Sequence, residues 1–221
     1  MRTEDRYPLV LLVLFCVIFA VLAIAPSYRQ DWLLENLLVF VAVPGLVLGY
    51  RRLRFSNFAY TCLFIFFVMH EIGAHYTYSE VPWREWLQAI TGGSSEAGAT
   101  AGRNNFDRLV HFSYGLLLMP AAAELLDARA SPRGPWRYLL PVLFVMSHSV
   151  IYEMIEWVAA LIFGGDLGAA YLGTQGDEWD AQKDMALATA GAALAMLLIV
   201  VRDRLRRPAP PRDTSRSPRA R

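Results

Sequence analysis

Long apolar segments recur along this sequence and restrict it to one class of fold. A helix needs about 20 mainly apolar residues to cross the hydrocarbon core of a bilayer, where it also satisfies its own backbone hydrogen bonds. About six segments meet this requirement, and 55% of the 221 residues are hydrophobic against 19% charged. We therefore expect an all-α, polytopic transmembrane helical bundle of about six spans: residues 8–25, 33–50, 56–75, 106–126, 138–163 and 181–201.

The chain divides into a membrane domain of residues 1–201 and a basic tail of residues 202–221. The tail carries eight arginines against two aspartates, with four prolines among them. Such a composition cannot bury a core, so we expect a disordered tail. Its charge suits anionic lipid at the cytoplasmic surface rather than nucleic acid.

Arginines also cluster after every second segment, in residues 51–54, 129–137 and 202–221. The other connections are balanced or acidic. Because positively charged loops stay on the cytoplasmic side, this pattern places both termini in the cytoplasm of a bacterial inner (plasma) membrane.

The connection between the third and fourth segments has a pattern of its own. Trp83, Trp86, Leu87 and Ile90 recur at helical spacing, which predicts a short amphipathic helix at residues 82–90 on the outer surface. The small residues of 91–102 should form a flexible connection.

Ionisable residues lie inside these apolar segments, where they are costly and therefore indicate a functional site. In the predicted orientation, those of the third to sixth segments fall near the outer side, with His148 closer to the middle. They are His70, Glu71 and His75; Asp107 and His111; Glu153 and Glu156; and Asp180 and Asp184.

The spacing of these residues places them in pairs on helix faces. Three pairs are four residues apart and Glu153 and Glu156 are three apart, so each pair shares a face. Helical bundles build metal sites from such pairs, and imidazole with carboxylate suits Zn, Fe or Mn. We predict a divalent metal site drawn from His111, Glu153, Glu156, Asp180, Asp107, Asp184 and His75.

Each group also has a purely structural interpretation. Asp107 and Asp180 stand where helices begin and could serve there as caps or dipole partners, and Lys183 could form a structural ion pair with Asp180 or Asp184. His148 could be a satisfied core histidine. Glu153 and Glu156 resist this interpretation, because two carboxylates one turn apart in an apolar segment repel each other unless a cation, a proton or an arginine is present.

Three stretches, 105–112, 152–157 and 172–184, resemble the uncharacterised bacterial inner-membrane family that includes YjdF. The resemblance implies a multi-pass plasma-membrane protein and supplies no activity. The same positions also resemble VanZ-like membrane proteins, through an Asp-x-x-x-His-Phe element at 107–112 and later acidic pairs. Here Glu156 replaces an amide and Asp184 replaces the usual asparagine, and the added negative charge favours a cation.

Function stays open between three hypotheses. The first is a metal-dependent hydrolase or transferase acting on a lipid or envelope precursor at the outer face, with Glu71 and His148 as general acid or base. The second is a proton- or ion-coupled transporter of a small molecule. The third is a structural protein whose ion pairs hold helices together. A dead-ended polar pocket would favour the enzyme, and a continuous polar path would favour the carrier.

Overall fold

The computed structural model describes residues 5–92 and 102–206, and within them the regular secondary structure is helical. Residues 93–101 of the expected flexible connection and residues 207–221 of the expected tail lie outside this description. The helices are α1 Arg6–Leu22, α2 Arg29–Glu35, α3 Leu37–Gly49, α4 Asn57–Tyr76, α5 Trp83–Thr91, α6 Phe106–Arg129, α7 Trp136–Phe163, α8 Gly165–Leu172 and α9 Asp180–Arg206.

Four helices are long and apolar enough to cross a membrane, namely α4, α6, α7 and α9. The pair α2 and α3, bent by 40° between them, makes a fifth candidate span. Helix α1 is apolar but has 17 residues, a length of about 25 Å against a hydrocarbon core of about 30 Å. The all-helical membrane class is confirmed with four to five candidate spans among the described residues, while the count of six and the side of the termini stay predictions.

The second predicted segment, residues 33–50, is not one straight helix in the structure but two helices with a bend between them. Helix α2 begins earlier, at Arg29, and the bend falls at Asn36. The Asn36 side-chain amide donates to the Trp32 carbonyl at 2.9 Å, so it competes for an acceptor of the helical hydrogen-bond ladder. At the other end of the chain, α9 continues to Arg206, so residues 202–206 of the expected tail are helical.

Helix α6 lies at the centre, in contact with α4, α7 and α9. It meets α9 at backbone distance, because a Cβ atom on Gly115 would collide with the Ala188 carbonyl oxygen and one on Gly191 with the Phe112 carbonyl oxygen. Small residues allow such close approach between membrane helices. Beyond this crossing, the α6–α7–α9 interface is apolar, with a buried cluster of Met119, Ala122, Val145, Ala192, Ala195 and Met196.

Most of the ionisable side chains singled out from the sequence lie at the opposite end of the bundle from this apolar cluster. The first turns of α6 and α9, the second half of α7, the end of α4 and helix α2 meet there. Helix α4 ends at Tyr76. The next residue, Thr77, adopts left-handed φ and ψ values of 55° and 60°, and a 3₁₀ turn at Tyr78–Glu80 leads to α5. The predicted helix at residues 82–90 is confirmed by α5, on which Ile90 is 83% exposed.

Candidate functional site

Two aspartates and a histidine converge where α6 crosses α9. Asp107 and His111 occupy successive turns of α6, with His111 Nε2 3.3 Å from Asp107 Oδ1. Asp184 projects from the first turns of α9. One ligand atom from each of the three residues lies within 4.8 Å of the others. This spacing can hold a single cation, and the close helix packing at Gly115 brings the two helices near enough to form it.

Glu153 on α7 adds a third carboxylate to this group. Its Oε1 atom lies 3.7 Å from His111 Nδ1, so both ring nitrogens of His111 face carboxylates. Asp184 is 3% exposed and Glu153 is 9% exposed. Asp184 Oδ1 and Glu153 Oε1 are buried and accept no hydrogen bond within the part of the chain described. Buried carboxylate oxygens in this state require a cation or a proton.

A cavity of about 240 Å³ adjoins these carboxylates. It has room for an ion together with several water molecules. Most of its polar lining is acidic, and its apolar wall is built by α7 and α8. The residues around it are Asp107, Glu153, Glu156, Trp157, Leu172, Thr174, Asp180, Ala181, Gln182 and Asp184.

Two arginines contact an acidic residue of the cavity and neutralise part of its charge. Arg103 makes an ion pair with Asp180, and Arg108 Nη2 lies 3.6 Å from the same carboxylate. Arg108 and Lys183 both contact Asp177 in the connection before α9, with Lys183 Nζ at 2.6 Å. Asp180 is therefore held by arginines.

The same contacts stabilise the charged form of the Asp177 carboxyl group. Hydrogen bonding from Lys183 is the largest cause that lowers the pKa of Asp177, to about 2, and Arg108 adds to it. Lys183 therefore forms an ion pair with Asp177 and not with Asp180 or Asp184, the partners expected from the sequence, because the connection before α9 brings Asp177 against its side chain. Arg103 Nη2 also lies 4.0 Å from Asp107 Oδ2, so Asp107 is shared between Arg103 and His111. Asp184 and Glu153 are buried carboxylates that form no ion pair with Arg103, Arg108 or Lys183.

A second polar group lies beside the first, on α2, α4 and α7. The Tyr152 hydroxyl donates to Glu35 Oε2 at 2.8 Å. His70 Nε2 lies 3.2 Å from the Glu35 carbonyl oxygen, and the Tyr78 hydroxyl lies 2.5 Å from His70 Nδ1. A carbonyl oxygen only accepts, so Nε2 of His70 carries the proton, and in the neutral ring Nδ1 accepts from Tyr78.

Tyr152 links the two polar groups. Its ring centroid lies 6.0 Å from that of His111, and Glu35 interacts electrostatically with both Asp107 and His111. Glu35, Tyr152 and Arg103 were not among the predicted site residues. For Glu35 the signal was present in the sequence: it lies in the second apolar segment, four residues after Asp31, which is the spacing of Asp180 and Asp184.

The structure brings together six of the nine predicted site residues and separates three. Asp107, His111, Glu153, Glu156, Asp180 and Asp184 surround the cavity or touch residues that do. His75 Nδ1 instead pairs with the Leu22 carbonyl oxygen of α1 at 2.7 Å. His148 is exposed and bonds the Phe144 carbonyl oxygen of its own helix at 2.8 Å. Glu71 is fully buried and does not line the cavity.

A bundle of long apolar helices with ionisable side chains gathered at one end defines a multi-pass membrane protein with an internal polar site. The chain belongs to the family described as "Predicted membrane protein (DUF2238)", whose model matches residues 7–204. It is 34% identical over 176 residues to the inner membrane protein YjdF of Escherichia coli (strain K12), covering 77% of this chain and 78% of that protein. No solved structure matches the chain.

These comparisons confirm two of the predictions made from the sequence. The resemblance to the family that includes YjdF is borne out, and so is localisation in the bacterial inner membrane. The resemblance to VanZ-like proteins stays a prediction.

Proposed function

We propose that this protein is a metal-dependent inner-membrane enzyme in which Asp107, His111 and Asp184 hold a divalent cation. The observation that carries the proposal is the spacing of their ligand atoms, all within 4.8 Å of one another beside a cavity. The unbonded, buried Asp184 Oδ1 supports it independently. One imidazole with two carboxylates suits Zn, Fe or Mn, and three protein ligands leave a position open for water or substrate.

Hydrolysis or group transfer is the chemistry that such a site favours. A divalent cation with an open position activates a bound water and polarises the bond under attack. Glu153 faces the second ring nitrogen of His111, the place from which a carboxylate orients a metal-binding imidazole. Glu156 lines the cavity one turn further along α7 and would accept the proton of the water. Glu71 and His148, the acid and base expected from the sequence, lie away from the cavity.

The substrate class in this proposal is a lipid headgroup or envelope precursor at the outer face. The arginine-rich connections favour the outer side for the cavity, because such connections stay in the cytoplasm. In this arrangement α1 and the bent α2–α3 pair are the first two of six spans, and both termini are cytoplasmic. Trp157 lines the cavity and is 57% exposed, and Leu161 on the next turn is 67% exposed. A lipid could therefore approach the cavity from the membrane beside α7.

The rival function is an ion- or proton-coupled transporter, which the hydrogen bonds among Glu35, Tyr152, His70 and Tyr78 would serve. A carrier needs a polar path to both sides of the membrane. Below the site, however, the α6–α7–α9 interface is closed by fully buried apolar side chains such as Met119. At that end Glu124 accepts hydrogen bonds from Ser56 at 2.5 and 2.7 Å. This closed apolar interface favours the enzyme.

Incubation of the purified protein with an inner-membrane lipid extract tests this proposal. We expect headgroup products, detected by mass spectrometry, that need added Mn²⁺ or Zn²⁺ and disappear with a chelator. Asp184→Asn should abolish product formation, whereas Asp127→Asn, an exposed acid paired with Arg137, should not. Absence of metal-dependent products, together with proton flux in proteoliposomes, would contradict the enzyme and favour the carrier.

A further inference from the structure

A second and larger cavity of about 780 Å³ lies between α1, α3 and α4. It shares no lining residue with the cavity at the candidate metal site. Most of its wall is apolar and comes from all three helices, including Leu12, Phe15, Val43, Leu46, Phe64 and Phe67. It exists because α1 packs along α4 and leaves a groove beside α3. An apolar groove between membrane helices is a place for a hydrocarbon chain.

One end of this groove is polar and basic. Arg51 and Arg54, in the connection between α3 and α4, line it together with Tyr50 and Asp5. Arg54 lies 3.9 Å from Asp5 Oδ1, which also accepts a 2.8 Å hydrogen bond from the Tyr50 hydroxyl. Asp5 is thus already engaged within the protein, and Arg51 is exposed at the mouth. The charged residues that line this end are two arginines and one aspartate, so this mouth has a net positive charge.

We propose that this groove binds one anionic phospholipid, with its phosphate against Arg51 and Arg54 and an acyl chain between α1 and α3. Guanidinium groups recognise phosphate oxygens through paired, charge-assisted hydrogen bonds. The apolar lining continues from the arginines into the membrane region of the bundle, as the two parts of a phospholipid require. A transmembrane helix of a partner protein would fill the apolar part but would offer no phosphate to Arg51 at the mouth.

This lipid site is separate from the proposed metal site and does not depend on it. The groove is lined by α1, α3 and α4, whereas the candidate metal ligands lie on α6, α7 and α9. A phospholipid here would fill the gap between α1 and α3 and tie the first helices of the chain together.

Native mass spectrometry of the full-length protein, equilibrated in detergent with equal amounts of dioleoylphosphatidylglycerol and dioleoylphosphatidylcholine, tests the proposal. The wild type should retain phosphatidylglycerol preferentially. Arg51→Gln should lower that retention about fivefold, the effect of removing one cation near anionic lipid. Arg52→Gln is the matched control, because Arg52 is exposed but does not line the groove.

A second pair of variants tests the apolar part of the groove. Val43→Trp or Leu12→Trp should lower retention with every arginine still present, because the larger side chain fills the path of the acyl chain. Circular dichroism and gel filtration establish that each variant is folded. Equal retention of the two lipids by the wild type would overturn the proposal, as would equal losses in Arg51→Gln and Arg52→Gln, or full retention in both folded tryptophan variants.

Discussion

Tyr152 on α7 donates a 2.8 Å hydrogen bond to the buried carboxyl group of Glu35 on α2. Glu35 is 4% exposed, and its backbone carbonyl oxygen faces His70 of α4. One residue therefore joins three helices that are far apart in sequence. This contact ties the bent α2–α3 pair to the long helices and brings a further acid beside the candidate metal ligands.

Removal of the Tyr152 hydroxyl should destabilise the protein. Tyr152→Phe leaves the ring in place and deprives a buried carboxyl group of its donor, a loss of about 1–2 kcal/mol in the free energy of unfolding. Denaturant unfolding in detergent measures it. Tyr138→Phe is the matched control, because Tyr138 packs on the apolar cluster and its hydroxyl makes no hydrogen bond within the described residues. Equal stability of the two variants would show that the Glu35 contact contributes nothing.

The crossing of α6 and α9 should tolerate no side chain at Gly115. The Cβ atom introduced by Gly115→Ala would collide with backbone atoms of Ala188 and Ala192, which cannot rotate away. We expect a loss of about 1–3 kcal/mol, the usual cost of overpacking, and a clearly lower Tm. In Gly45→Ala the new Cβ on α3 meets nothing within 4 Å, so its Tm should stay within about a degree of wild type or rise slightly. Similar Tm values for both variants would contradict the close crossing.

The contribution of Asp177 to stability should depend on pH. Contacts with Lys183 and Arg108 lower the pKa of this carboxyl group from 3.8 to about 2. The folded state therefore binds fewer protons than the unfolded state over that range, so the stabilisation is complete above pH 3.8 and is lost as the pH falls towards 2. Asp177→Asn should lower Tm at pH 6 and lose most of this effect by pH 2.

Glu178→Gln is the control for this pH dependence, because Glu178 is an exposed neighbour in the same connection. Its Tm should follow that of the wild type throughout the titration. A constant Tm difference between Asp177→Asn and wild type from pH 6 to pH 2 would mean that the contacts with Lys183 and Arg108 do not act through the charge of Asp177.

Hydropathy predicted the all-helical membrane class because a span must be long and apolar whatever its neighbours are. The loop charges, by setting the direction of each segment, also predicted that Asp107, His111, Glu153 and Asp184 would lie at comparable depth. The i,i+4 spacing of Asp107 and His111 was enough to place them on one helix face. These inferences depend on distance along a helix, which the sequence records directly.

The lateral order and rotation of helices could not be predicted in this way. Hydropathy did not indicate that the bend at Asn36 would bring Glu35 against Tyr152. It also did not distinguish His75, which faces α1, from His111, which faces α7 and α9. Arg103 precedes its helix and was overlooked, so the pairing of Asp180 with an arginine could not be anticipated. Such contacts depend on which helices pack together, and small residues such as Gly115 decide that.

Elemental analysis of the detergent-purified protein tests the proposed metal site most directly. We expect close to one equivalent of Zn, Fe or Mn in the wild type, and loss of most of it in His111→Ala and Asp184→Asn. His148→Ala and Asp127→Asn make the same chemical changes at exposed positions away from the site and should retain the metal. Absence of metal from folded wild-type protein reconstituted with these ions, or equal metal content in all four variants, would contradict the site.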